Sequence, residues 1–350
     1  MADEIAALGS GRNLKELIRY VLGIAIGILV LFLLFGRRHE FAAAWRQLSH
    51  ISTGMNGAGW VVAATAAEAA SLWVFAFLQR TVLRLAGASL PMPGLFLLTM
   101  ANDAIANTVP GEPAVSSAFR YRYYRRRGAD GAASGWTIFT ILIAQAIGMS
   151  LLLLLGVLIA LAGGPGGRDA RAAVIGLIIV AASGAVLVRR DLVIRLAESV
   201  LRGIRRVTGH PRGSIGDRIT STLARMREIT LSTRATVAVV VLAAGVWLCD
   251  FACLLCAFGA VHATIPWAGV LLAYGVSEVA ASLPIVPGGI GVVEGSLAVI
   301  LAAYGAGRTP ALAAALVFRT VSFWLAITLG WIAVGVIARQ GRQPGRPAVT

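Results

Sequence analysis

The chain has 350 residues, of which 58% are hydrophobic and only 13% charged, with a mean hydropathy of +0.80. A water-soluble globule of that length needs more polar surface, so the composition excludes one and places the chain in a bilayer. The formal net charge of +15 leaves two classes of anionic partner to weigh, nucleic acid and the membrane surface.

Apolar runs near the ~20 residues that a bilayer core requires occupy residues 20–35, 58–78, 134–162, 172–188, 235–258 and 311–338. Each is predicted to be a transmembrane helix. The first is somewhat short, yet its apolar core exceeds the ~7–15 residues of a cleavable signal and further spans follow it. It is expected to stay, with "GIAIG" as a small-residue packing face. After the second span, the run 91–109 breaks at "PGEPAVSSAF" and leads into "FRYRYYRRRG", residues 119–128. Arginines interleaved with aromatics suit a single-strand binder. Between apolar runs, however, they suit a cytoplasmic membrane flank that meets anionic lipid headgroups, and we expect no nucleic-acid partner.

The longest polar stretch is the insert 189–234. Its "DLVIRLAESVLRGIRRV" sets Val193, Leu196, Val200, Leu201, Ile204 and Val207 on one helical stripe with arginines elsewhere. That pattern predicts a basic amphipathic helix on an anionic leaflet, with a partner-protein site as the alternative. In the span 235–258, Cys249, Cys253 and Cys256 share one helix face and have no histidine nearby in sequence. They read as packing residues. His39, His50, His210 and His262 are scattered, so neither a metal site nor a cofactor is expected.

A second break follows the run 267–286, where "IVPGGIGVVEG" covers residues 285–295. The tripeptide Val-Pro-Gly occurs at residues 109–111 and again at 286–288, an offset of 177 that also carries residue 58 onto 235, 90 onto 267 and 134 onto 311. This register predicts an internal duplication within one membrane domain, 1–350, with a first repeat over 20–162 and a second over 172–338. The predicted fold is all-α and polytopic: about six spans plus two broken, re-entrant helix pairs. If each broken pair returns to its entry side, each half crosses three times and the second half is inverted. The arginines agree when both termini are cytoplasmic. Arg12, Lys15, Arg19, Arg80, Arg84, the 120–127 cluster, the insert and Arg339, Arg342 and Arg346 then lie inside. Arg37, Arg38, Arg46, Arg168, Arg171 and Arg308 lie outside, with "GRRHE" as the main violation.

The glycine-rich break is not a nucleotide loop. A P-loop needs a lysine after its glycines, and the chain's one lysine is Lys15. Non-helical backbone within a bilayer is sheltered by protein or lines a cavity, so the two breaks mark a cavity between the repeats. Pro287 stops the incoming helix, and Gly288, Gly289 and Gly291 let backbone N–H groups approach a ligand. The helix that starts there offers its positive end to an anionic head. Ser116 and Ser117 follow the first break and are candidate hydroxyl donors. Ionisable residues in or beside apolar segments are Glu68, Asp103, Glu112, Asp250, Glu278, Glu294 and Arg319. Each costs ~2.5–3.5 kcal/mol at the bilayer centre unless paired or turned inward. A Glu294–Arg319 pair either locks the broken helix or leaves Arg319 to contact substrate. Glu68, Asp103, Asp250 and Glu278 are candidate coupling residues, as a proton relay or as polar groups with water access.

"LPIVPGGIGVVEGSLAVILAAYG" followed by "ALAAALVFRTVSFW", together with "ANTVPGEPAVSSAFRYRYYRRRGA", resembles the membrane domain of lysylphosphatidylglycerol synthases and their stand-alone flippase-like relatives over nearly the whole chain. In bifunctional members that domain is similar to a translocator of aminoacylated phosphatidylglycerol, and a separate soluble domain carries out aminoacyl transfer. The resemblance implies transport without catalysis. It carries site roles onto Pro287, Gly288, Gly289, Gly291, Glu294, Gly295 and Arg319, and onto Asn107, Pro110, Gly111 and Glu112, although "PGEP" is poorer in glycine than its counterpart. The expected function is movement of an anionic, aminoacylated, zwitterionic or polyprenyl-phosphate-linked lipid across a bacterial-type cytoplasmic membrane by alternating access. Alternatives are an ion-coupled transporter of a small soluble anion and a scaffold holding a structural lipid. No ATP-binding motif is present in the sequence, so the energy would come from an ion gradient or from lipid consumption.

Overall fold

A computed structural model describes residues 55–109, 114–163, 231–282 and 287–340. The described residues are helical, with no strand among them: α1 (Met55–Leu85), α2 (Met92–Thr108), α3 (Ala114–Arg126), α4 (Gly131–Gly163), α5 (Thr233–Ala260) and α6 (Val270–Ala281). After one 3-10 turn (Pro287–Gly289) come α7 (Val292–Ala303), α8 (Arg308–Arg319), a π-helical segment (Thr320–Leu325) and α9 (Ala326–Gln340). Stretches 57–85, 131–163, 233–260 and 308–340 are long and apolar enough to cross a membrane, matching four of the predicted spans. The predicted spans 20–35 and 172–188, and residues 189–230 of the insert, lie outside the described residues.

Local chemistry sets the boundaries. The chain leaves α1 through Gly87, whose φ of 81° suits glycine, while the Ala88 N–H donates back to the Leu83 carbonyl, 2.9 Å. Proline at the first turn opens α2. Asp130 Oδ1 accepts from the Ala133 N–H (2.6 Å) and Ser232 Oγ from the Ala235 N–H (3.3 Å), capping α4 and α5.

Contacts between helices define two ends of the molecule. Trp60, early in α1, packs on Gly259, late in α5, while Leu78 and Val82 share a cluster with Val239, so α1 and α5 are antiparallel. α4 starts beside that cluster through Trp136 and finishes with Gly163 against Ala268. Arg84, the Arg122–Arg127 run, Arg234 and Arg339 gather at the first end; His262 and Arg308 lie at the other.

α2 and α3 form a hairpin open toward the arginine end, where the Tyr123 hydroxyl donates to the Gly94 carbonyl, 2.9 Å. α6 and α7 form a hairpin open toward the opposite end, where Gly269 packs on Tyr304. The two tips approach each other inside: a Cβ placed on Gly288 would overlap the Phe323 ring and lie 3.0 Å from the Asn107 carbonyl oxygen. Glycines also bring backbones together along the long helices. A Cβ on Gly148 would sit 2.9 Å from the Ala244 nitrogen, and one on Gly156 2.8 Å from the Leu272 nitrogen. Outward, large apolar side chains such as Val62, Leu142, Val241 and Ile332 are exposed, as a lipid-facing surface requires.

The helix boundaries keep the offset found in the sequence. Shifted by 177 residues, 131–163 becomes 308–340, the extent of α8 through α9, and 114–126 becomes 291–303, the extent of α7 with its cap. One difference separates these equivalents: α4 is unbroken, whereas its counterpart, expected as a single span, contains the π-helical segment just after Arg319.

Candidate functional site

Three glycines shape the second break. Gly288, Gly289 and Gly291 have φ of 64°, 61° and 80°, a left-handed backbone that L side chains adopt only with strain. The turn brings Gly291 to the N-cap of α7, where its N–H donates to Glu294 Oε2 at 2.6 Å. Glu294 thus supplies from within the chain the negative charge that a helix start attracts. Its other oxygen, Oε1, accepts from Arg319 Nε at 3.0 Å. Arg319 Nη2 reaches on to the Gly288 carbonyl at 2.6 Å, and its guanidinium lies 3.9 Å from the centre of the Phe323 ring. Both charged residues are buried. One guanidinium therefore fastens α8, the glycine turn and α7 together, and the π-helical segment places Phe323 against it.

Four more carboxyl groups surround this clamp. Glu68 on α1 and Asp250 on α5 are brought together as neighbouring carboxyl groups. Asp250 Oδ2 accepts from the Tyr274 hydroxyl of α6, 2.6 Å. Asp103 on α2 accepts at Oδ1 from Asn107 Nδ2, 3.1 Å, and Glu278 on α6 is close enough to feel both Asp103 and Asp250. Arg319 attracts Asp103, Asp250 and Glu278. Glu68 Oε2 and Asp103 Oδ2 are buried and receive no hydrogen bond from the described residues. Four carboxyl groups thus converge where the only nearby cation among the described residues, Arg319, is already engaged by Glu294.

The predicted residues divide accordingly. Gly288, Gly289, Gly291, Glu294 and Arg319 form the clamp, with Asn107 at the seam between the tips. Glu68, Asp103, Asp250 and Glu278 come together from α1, α2, α5 and α6. Ser116, buried, and Ser117, half-buried, stand on the first turn of α3. Pro110, Gly111 and Glu112 lie outside the described residues. Cys249 and Cys256 are half-buried and Cys253 buried, all as free thiols. The sequence reading missed Tyr274 and Phe323. The first carried a signal, since Tyr274 precedes Glu278 by one helical turn within an apolar run.

The model for one known family, the lysylphosphatidylglycerol synthase TM region, matches residues 20–330. The chain belongs to that family. No curated protein matches it in sequence. The matched segment includes every residue of the clamp and of the carboxyl cluster, so the site is part of the family domain. As a lysylphosphatidylglycerol synthase TM region, the chain is a multi-pass membrane protein with a polar centre where its two hairpins meet.

Proposed function

We propose that this protein moves a lipid between the leaflets of a bacterial cytoplasmic membrane. The observation that carries the reading is the convergence of four carboxyl groups on the seam between two hairpins that enter from opposite ends. Family membership supports a lipid-related role. We read the hairpins as re-entrant halves of an inverted repeat, and movement of one half against the other as the route to alternating access. Because Glu294 fills the helix start and holds Arg319, acidic groups outnumber free basic ones at the centre among the described residues. That balance favours a headgroup with an ammonium, zwitterionic or aminoacylated, over a small free anion. Glu68 Oε2 and Asp103 Oδ2 are placed to accept from it. The neighbouring carboxyl groups of Glu68 and Asp250 are candidates for coupling to a proton or another cation. On this reading the domain carries lipid without catalysing a reaction.

Proteoliposomes holding a fluorescent aminoacylated phosphatidylglycerol test the proposal. Wild-type protein is expected to expose inner-leaflet lipid to an impermeant quencher faster than protein-free vesicles, and Asp103→Asn to lower that rate at least tenfold. Equal rates with and without wild-type protein would refute translocation.

A further inference from the structure

A second polar feature lies away from the carboxyl centre. Between the end of α3 and the end of α9, at the arginine end, is a cavity of about 420 Å³. Arg122, Arg126 and Arg127 line it and are exposed. Among the described residues no carboxylate lines it, and no ion pair involves these arginines. Arg127 is held in place, stacked 5.0 Å from the centre of the Tyr123 ring and bonded through Nη2 to Gln340 Oε1 at 3.0 Å. Arg122 and Arg126, one helical turn apart, are left to face whatever enters. The remaining walls are Phe119 and Ile337. On α3 the apolar surface continues inward from Phe119, one helical turn back to exposed Val115, on the same stripe as Arg122 and Arg126.

We propose that this cavity docks an anionic phospholipid, its phosphate against Arg122 and Arg126 and an acyl chain between Ile337 and the Phe119–Val115 stripe of α3. The charge explains the phosphate, since two unpaired arginines at one mouth recognise a phosphoryl group as they would any tetrahedral oxyanion. The apolar wall selects a lipid over free phosphate: it runs from the arginines toward the middle of the molecule, as an acyl chain does below its headgroup. With no carboxylate in the cavity, an ammonium gains nothing there, which separates its preference from that of the central site. The proposal rests on the membrane setting and not on translocation.

Native mass spectrometry of the full chain in detergent, titrated with dioleoylphosphatidylglycerol, dioleoylphosphatidylcholine or inorganic phosphate, tests it. The wild type should retain phosphatidylglycerol in preference to phosphatidylcholine. The double variant Arg122→Gln/Arg126→Gln should bind phosphatidylglycerol about thirtyfold more weakly, as expected for two arginines near an anionic headgroup. The double variant Arg84→Gln/Arg234→Gln, which removes the same charge from exposed positions at the same end, should bind as the wild type does. Ile337→Asn should weaken phosphatidylglycerol without altering any competition by phosphate. Equal loss in both double variants would reduce the effect to net charge and overturn the site. Inorganic phosphate competing at the lipid's own concentration would overturn the lipid and leave an anion site. A protein that translocates nothing yet shows the expected binding pattern keeps the docking site and loses the transport reading.

Discussion

Arg319 has three partners at once, and this changes what its removal should do. Neither charge can be exchanged for the other: an arginine at 294 cannot accept from the Gly291 N–H, and a glutamate at 319 would face the Gly288 carbonyl. Arg319→Gln or Glu294→Gln leaves a buried charge uncompensated and should destabilise by ~3–5 kcal/mol. The swap Glu294→Arg/Arg319→Glu should not recover that loss, whereas a mutual pair without other partners would let it. Thermal melting in detergent reads the difference. Gly288→Val should be similarly damaging, because the position combines a left-handed φ with contact to Phe323 and Asn107. Much of this was legible beforehand. Arg319 is the cation deep within its span and Glu294 the acid of the preceding half-helix, so sequence alone pairs them. The Gly288 carbonyl and Phe323 were not legible, because which face a helix turns to its neighbour depends on packing that no periodicity within one helix encodes.

Small residues decide how closely the long helices approach, and here the sequence was easier to read. The 177-residue register predicted α1 against α5, and α4 against α8 with α9, as equivalents, and their boundaries follow it. The exception is the π-helical segment, whose extra backbone slack comes from local fitting around Arg319 and leaves the hydrophobic pattern intact. Gly156 lets α4 lie on the backbone of α6 at Leu272. Gly156→Leu should therefore force the two helices apart, at a cost of ~1–3 kcal/mol from overpacking. Gly335→Ala, where nothing lies within 4 Å of the new carbon, should melt at or above the wild-type temperature, since alanine favours helix over glycine. Equal melting of both variants would show that the α4–α6 seam tolerates expansion.

For the molecule as a whole, the arginines sort by end, which the structure makes visible for the described residues. From the positive-inside rule we propose that the arginine end faces the cytoplasm. With Cys249, Cys253 and Cys256 changed to serine, Thr264→Cys should react with an impermeant maleimide in intact cells, and Arg84→Cys only after the membrane is opened. The reverse pattern would invert the topology. Sequence legibility at this scale came from charge and repetition, both of which survive without knowledge of packing. The meeting of the four carboxyl groups was not legible as one cluster, since Glu68 and Asp250 are not related by the 177-residue offset and touch only because α1 and α5 run antiparallel.

The seam at Gly288 and Asn107 also sets a distance. Seventeen residues of α2 span ~25 Å along the helix axis, so a hairpin entering from one end carries polar backbone well into a hydrocarbon core ~30 Å thick. The hairpin from the other end does the same. A headgroup following either one would stay beside protein dipoles for most of its journey, and the unassisted passage narrows to the few ångströms where the tips touch. The permeability barrier of the bilayer would then sit in a single contact layer, thin enough for a small shift of one tip to open or close it.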